Sequence, residues 1–182
     1  MKSERTVGDW VPVGFESASK AKSVLPISFK PMLSRGAGAL KRVAMEVLQN
    51  PQDAGAFERL GVALAEAGQH QRATDMFGTA VVLDPAFSRA WSALGEAYLR
   101  VAGPDVPMPS AARNAFERAF ALDPEDVRAQ FYLAMDKEAH GARDEAIETW
   151  LGLLRTVPLG SRPNEAVRAA ILASLKREMA LD

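Results

Sequence analysis

Apolar side chains recur at helical spacing along most of this 182-residue chain, beginning at Leu40. The first run is Leu40, Val43, Ala44, Val47 and Leu48. These positions form one face of an α-helix, and Pro51 follows where that helix must stop. Alanine is abundant downstream, and no stretch alternates apolar and polar residues as a half-buried strand does. The pattern predicts a chain that is almost entirely α-helical.

The first 34 residues differ from the rest of the chain. They contain three prolines and no sustained apolar period, a composition that is typical of an arm or linker. Residues 1–50 carry 8 basic and 4 acidic side chains, whereas residues 51–182 carry 14 and 19. We therefore expect an irregular, mildly basic N-terminal arm over residues 1–34 and an N-terminal capping helix over residues 35–50.

The apolar positions also repeat at a longer period. The central copy contains Trp91, Leu94, Gly95 and Tyr98, then Ala112, Phe116, Ala119 and Pro124. The flanking copies contain Phe57, Leu60, Gly61, Leu64, Ala73, Phe77, Ala80 and Pro85, and Leu133, Ala134, Ala146, Trp150, Leu153 and Pro158. In each copy an aromatic residue precedes its proline by eight residues, which fixes the register. The pattern W-x2-L-G-x2-Y followed by A-x3-F-x2-A-x4-P resembles the tetratricopeptide repeat (TPR).

The TPR resemblance implies an all-α tetratricopeptide repeat solenoid, with three helical hairpins and capping helices at the N- and C-terminal ends. The predicted TPR domain covers residues 51–182, with repeats at 54–87, 88–126 and 127–160 and a C-terminal capping helix at 164–180. The middle repeat has five residues more than its neighbours. This insertion falls at Gly103 to Ser110, where we expect a loop between two helices.

Composition and motifs argue against catalysis. The chain has no cysteine and only two histidines, His70 and His140, which excludes thiolate sites and most histidine-based catalytic or metal sites. Both histidines are expected at turns, where a histidine near a helix C-terminus interacts favourably with the helix dipole. The chain has no G-x-S-x-G motif, phosphate-binding glycine loop or H-E-x-x-H motif. We expect a protein that is not an enzyme, with no catalytic residue, no metal and no cofactor.

Charge and hydropathy bear on partners and location. The formal net charge of −1 provides no global positive field for nucleic acid. No window reaches the roughly 18 apolar residues of a transmembrane helix. The first 22 residues mix acidic and polar side chains, unlike a secretory signal. These features predict that the chain has no transmembrane segment and that it is located in the cytoplasm. They leave its oligomeric state open.

Protein binding is the function that remains. The TPR resemblance places ligand-binding residues on a concave face, which is lined by the first helix of each repeat. The predicted groove residues are Glu58, Val62, Glu66, Arg89, Ser92, Glu96, Leu99, Arg128, Phe131, Met135 and Glu138. Four of these are apolar and form a stripe, which four glutamates flank. Such a surface suits an amphipathic helix that carries basic residues beside its apolar face.

A narrower resemblance covers the chain from Trp91 to Ile171. Three segments carry it: Pro109-Ser-Ala-Ala-Arg-Asn-Ala-Phe116, Arg128-Ala-Gln-Phe-Tyr-Leu133, and Ala146-Ile-Glu-Thr-Trp-Leu-Gly-Leu-Leu154 followed by Pro158. They resemble the periplasmic TPR domain of the proteobacterial c-type cytochrome biogenesis family, which chaperones apocytochrome c. This resemblance implies a periplasmic chain that binds the C-terminal helix of apocytochrome c without catalysis. The alternative is a generic TPR adaptor or scaffold in a bacterial protein complex.

Overall fold

The computed structural model describes residues 37–179 of the chain. That range contains eight α-helices and no strand, which confirms the all-α prediction. The helices fall into two compact units that divide after Pro85. The predicted arm, residues 1–34, lies outside the described residues.

The first unit contains three helices: α1 (Ala37–Gln49), α2 (Ala54–Glu66) and α3 (His70–Leu83). Asp53 begins α2, because its carboxylate accepts a hydrogen bond from the Gly55 N–H at 2.8 Å. α2 packs with α3 as a helical hairpin, and α1 packs against α2. The buried apolar side chains of this unit include the motif residues Phe57, Leu60, Leu64, Ala73, Phe77 and Ala80.

The second unit contains five helices: α4 (Ser88–Ala102), α5 (Ser110–Leu122), α6 (Val127–Ala139), α7 (Arg143–Thr156) and α8 (Arg162–Met179). α4 with α5 and α6 with α7 form two hairpins, while α5 also packs on α6 and α7 on α8. The connection between α4 and α5 lies at residues 103–109, where the inserted loop is expected. The repeat boundaries and the capping roles of α1 and α8 stay predictions.

Glycine ends two of the first helices of these hairpins. Gly68 follows α2 with φ of 74°, and Gly141 follows α6 with φ of 89°. A side chain at this left-handed backbone conformation is sterically costly, whereas glycine adopts it readily. The chain can therefore reverse within three or four residues and return as the second helix of the hairpin.

A buried cluster joins the last three helices: Ala134, Ala146, Trp150, Leu153 and Val167. Trp150 is fully buried, and its Nε1–H donates a hydrogen bond to the Phe131 carbonyl at 3.3 Å. The indole thus provides apolar contact and also satisfies its polar group inside the core. α8 belongs to this core through Val167, which is 1% exposed.

Phe116 links three helices of the second unit. Its ring is fully buried on α5 and stacks on Tyr132 of α6 with the centroids 4.8 Å apart. A Cβ atom built on Gly95 of α4 would lie 2.7 Å from the Phe116 ring. The absence of a side chain at Gly95 therefore lets the ring pack directly on the backbone of α4.

The structure corrects the expectation for one histidine. His70 is the first residue of α3, so it does not lie at a helix C-terminus and gains no favourable interaction with that end of the dipole. His140 does follow the C-terminus of α6, and its Nδ1 lies 2.7 Å from the Asp136 carbonyl oxygen. The expectation for His70 was wrong because only Gln69 lies between Gly68 and the start of α3.

Candidate protein-binding face

The first unit carries three of the predicted groove residues, all on α2. Val62 is 38% exposed and Glu66 is exposed. Glu58 is only 6% exposed, so packing covers most of its surface, and its contact with a ligand stays a prediction. Glu58 directly follows Phe57, the buried aromatic residue of its repeat, and it lies at the edge of the stripe that packing covers.

α4 carries four further predicted residues with different exposures. Arg89 is exposed, whereas Glu96 and Leu99 are half-buried. Ser92 is 2% exposed, and its hydroxyl donates a hydrogen bond to the Arg89 carbonyl at 3.4 Å. Ser92 is therefore also covered in this structure, and its contact with a ligand stays a prediction. Ser92 follows the buried Trp91, as Glu58 follows its own aromatic neighbour.

α6 carries the remaining four predicted residues. Arg128, Phe131, Met135 and Glu138 fall within an arc of about 80° at 100° per residue. The first and the last of them are ten positions apart, which is about 15 Å along the helix. Met135 is 42% exposed. Phe131 is half-buried because its ring packs against the core cluster, with its centroid 6.3 Å from that of Trp150.

Glu96 joins α4 to α6 through an ion pair that the sequence analysis did not predict. Its Oε2 lies 3.2 Å from Arg128 Nε, and its Oε1 accepts a hydrogen bond from Arg100 Nη2 at 3.4 Å. Tyr132 lies beside this cluster, and burial raises the pKa of its phenol, with the Glu96 carboxylate adding to the effect. The phenol therefore stays neutral at physiological pH.

Glu138 joins α6 to α8. Both of its carboxylate oxygens accept hydrogen bonds from Arg177 Nη2 at 2.7 Å. Burial acts to raise the pKa of Glu138, but the hydrogen bonds and the positive charge of Arg177 outweigh it and lower the pKa below its ordinary value of 4.5. Arg177 lies 39 residues further along the chain, so no local sequence pattern signals this pair.

A bidentate ion pair between Arg113 and Asp136, which we call the clamp, connects α6 to α5. Arg113 of α5 donates from Nε and Nη2 to the two carboxylate oxygens of Asp136 at 2.7 and 2.8 Å. The hydrogen bonds to Asp136 raise the pKa of Arg113, so the guanidinium stays charged. Paired geometry of this kind is stronger and more directional than a single contact. The clamp therefore orients α6 and the side chains that it presents.

These contacts bring together residues of α4, α6 and α8 in what we call the first-helix face: Glu96, Leu99, Arg100, Arg128, Phe131, Met135, Glu138 and Arg177. On α6 the two apolar members lie between the two ion-pair clusters. Two of the four glutamates that were predicted to face a basic partner, Glu96 and Glu138, are thus already paired with arginines of the chain. Within residues 37–179, no group of His, Cys, Asp or Glu side chains is arranged to hold a metal ion. No helix in that range is long and apolar enough to cross a membrane.

Replacing Glu138 with Gln should lower the free energy of unfolding at neutral pH and have less effect in acid. Because the folded pKa of Glu138 is depressed, its stabilising contribution is complete above about pH 4.5 and is lost as the pH falls through the lower, folded value. We expect a loss of about 1 kcal/mol or less at pH 7, since Arg177 is well exposed. Urea unfolding of both chains at neutral and acid pH measures the difference. Glu145→Gln, at an exposed pair with Lys137, serves as control, and a loss for Glu138→Gln that is independent of pH would contradict the assignment.

The helical hairpins have the fold of the tetratricopeptide repeat class. The structure resembles the crystal structure of MamA with a TM-score of 0.56 at 22% identity, covering 80% of this chain and 90% of that one. It also resembles the TPR domain of Arabidopsis OM64 with a TM-score of 0.52 at 15% identity, covering 66% of this chain and 94% of that one. These likenesses confirm the predicted TPR fold class. No protein-family model matches the chain.

Among curated proteins, the chain resembles the cytochrome c-type biogenesis protein CycH. It is 28% identical to CycH of Bradyrhizobium diazoefficiens over 140 residues, which are 75% of this chain and 37% of that protein. It is 32% identical to CycH of Rhizobium meliloti over 110 residues, which are 60% of this chain and 28% of that protein. The chain thus spans about a third of the length of these relatives. It is a TPR protein that resembles CycH, as the sequence analysis predicted.

Proposed function

We propose that this chain is a non-catalytic protein-binding module that binds apocytochrome c during c-type cytochrome maturation. The observation that carries the proposal is the similarity to two CycH proteins. Those relatives are named as cytochrome c-type biogenesis proteins. TPR folds typically offer extended binding surfaces for protein segments.

The first-helix face supports this proposal. Leu99, Phe131 and Met135 present apolar surface within a rim of charged side chains, as interface cores commonly do. An unfolded cytochrome exposes an amphipathic helical segment that can lay its apolar side against such a surface. Haem attachment and folding would remove that segment from reach, so binding should favour the haem-free chain.

Binding of haem-free and haem-loaded cytochrome c to the full chain tests this function. We expect the haem-free form to bind at least tenfold more tightly, a difference of about 1.4 kcal/mol. Met135→Glu should weaken that binding, because it places a charge in the apolar part of the first-helix face. Leu151→Glu on α7 is the matched control, since Leu151 is 46% exposed and Met135 is 42% exposed. Equal binding of both cytochrome forms, or equal loss in both variants, would contradict the proposal.

The alternative is an adaptor or scaffold in another bacterial complex. A photo-crosslinking residue at Met135, introduced in the native cells, distinguishes the two. Adducts with apocytochrome c from the periplasmic fraction would support the cytochrome function and the periplasmic location. Adducts that contain only cytoplasmic proteins would instead support the adaptor function.

A further inference from the structure

The carboxylates of the first-helix face are engaged within the chain. Glu96 contacts Arg100 and Arg128 through its two oxygens, and Glu138 accepts hydrogen bonds from Arg177 at both of its own. The side chains of Glu96 and Glu138 are only 31% and 12% exposed. A basic partner would therefore meet each carboxylate beside an arginine of the chain that already pairs with it, which weakens its attraction to that group.

The arginines of the same pairs are directed more to solvent. The side chains of Arg100, Arg128 and Arg177 are 60%, 43% and 56% exposed. In the pairs described above each guanidinium uses one nitrogen, whereas a guanidinium carries five N–H donors on three nitrogens. Donors therefore remain on each arginine for a second carboxylate, and the three arginines exceed the two glutamates by one positive charge.

We infer that the first-helix face binds an amphipathic helix whose apolar stripe is flanked by carboxylates. The inference rests on the proposed function, because it requires this face to be the binding site. Apolar side chains of the partner pack against Leu99, Phe131 and Met135, while its carboxylates pair with the outward sides of the arginines. Such charge-assisted pairs add specificity at the rim of an interface. This partner chemistry replaces the basic helix that the sequence alone suggested.

The spacing of the two ion-pair clusters defines the partner further. Arg128 and Glu138 lie about 15 Å apart along α6, and Arg177 is held at the second of these positions. A partner helix that runs alongside α6 rises by the same 1.5 Å per residue. It therefore meets both clusters with acidic residues about ten positions apart, with its apolar stripe between them.

Two designed peptides test the charge preference directly. Each has about 18 residues, a length that supports a helix, and the same leucine stripe. One carries glutamate on both flanks and the other carries lysine. Fluorescence anisotropy of the labelled peptides measures their binding to the full chain. We expect the glutamate peptide to bind about tenfold more tightly at low salt, and this advantage to shrink as salt screens the exposed pairs.

Variants of the chain identify the residues responsible. The triple change Arg100→Gln, Arg128→Gln and Arg177→Gln leaves Glu96 and Glu138 without these partners, so the preference should reverse in favour of the lysine peptide. A control triple variant makes the same change in net charge at exposed arginines elsewhere: Arg42→Gln, Arg155→Gln and Arg168→Gln. It should keep the preference for glutamate. If the first triple variant fails to fold, Glu96→Gln with Glu138→Gln gives the complementary test, in which glutamate binding should strengthen.

The outcomes separate this inference from the proposed function. Tighter binding of the lysine peptide to the wild-type chain would overturn the acidic partner but keep a helix-binding face. A third outcome is that the wild-type chain and the arginine variants each bind the two peptides equally. That result would mean that only apolar contact determines binding, and it would also overturn the acidic partner. Failure to bind either peptide would overturn both the inference and the assignment of the first-helix face as a binding site.

Discussion

Trp150→Ala should lower the free energy of unfolding by about 3–5 kcal/mol, the range measured for large aromatic residues truncated in cores. Trp150 is fully buried at the centre of the cluster that joins α6, α7 and α8. Its removal leaves a cavity and also removes the donor to the Phe131 carbonyl. Urea denaturation followed by circular dichroism measures the loss, which approaches the whole stability of a typical domain.

Trp150→Phe provides the matched control for this change. Phenylalanine retains most of the ring volume but cannot donate a hydrogen bond, so we expect a smaller loss of about 1–2 kcal/mol. Amide hydrogen exchange should show that the alanine variant loses protection mainly in α6, α7 and α8. An alanine variant as stable as the phenylalanine variant would mean that the cluster does not depend on the indole.

The helices and the fold class were predictable because the repeat motif consists of packing residues. Phe116 and Trp150 are both fully buried at the motif position that the aromatic-to-proline spacing identified. The motif residues Pro85 and Pro124 lie two residues after the last residues of α3 and α5, Leu83 and Leu122. Apolar periodicity and helix stops are local properties, so a single sequence reveals them.

The chemistry of the binding face was less predictable, since it depends on contacts between distant residues. Glu96 and Glu138 looked like available acidic groups in the sequence, but Arg128 and Arg177 on other helices pair with them. Neither pair lies at the i to i+4 spacing that marks ion pairs within one helix. Arg100 does lie at that spacing from Glu96, so it could have been included in the predicted site.

Exposure was the second property that the sequence did not resolve. Val167 and Leu172 are both apolar residues of the predicted C-terminal capping helix, which the structure places in α8. In the structure Val167 is 1% exposed and Leu172 is 58% exposed, because the helix turns only part of its apolar surface towards α7. Glu58 and Ser92 differ in the opposite sense, since packing covers polar residues beside buried aromatic ones. The apolar periodicity of a helix predicts which of its faces is buried. How wide that buried face is depends on the helices that pack against it.

Phe116→Ala should also lower the free energy of unfolding by about 3–5 kcal/mol, because the ring is fully buried between the backbone of α4 and the Tyr132 ring. Its relation to Gly95 makes a sharper test. Gly95→Ala alone places a Cβ 2.7 Å from the ring, a clash that exceeds the gain in helix propensity of about 1 kcal/mol. In the Phe116→Ala background that clash is absent, so the same change should stabilise the chain.

In a double-mutant cycle, we therefore expect Gly95→Ala to lower the free energy of unfolding when Phe116 is present and to raise it in the Phe116→Ala background. Gly152→Ala on α7 is the control, because an added Cβ there meets no atom within 4 Å. It should stabilise both backgrounds by about 0.5–1 kcal/mol through helix propensity alone. If Gly95→Ala has the same effect with and without the ring, the close packing of Phe116 on α4 is not what requires glycine at position 95. If the sign reverses, the glycine of the repeat motif serves to admit the aromatic ring of the same repeat.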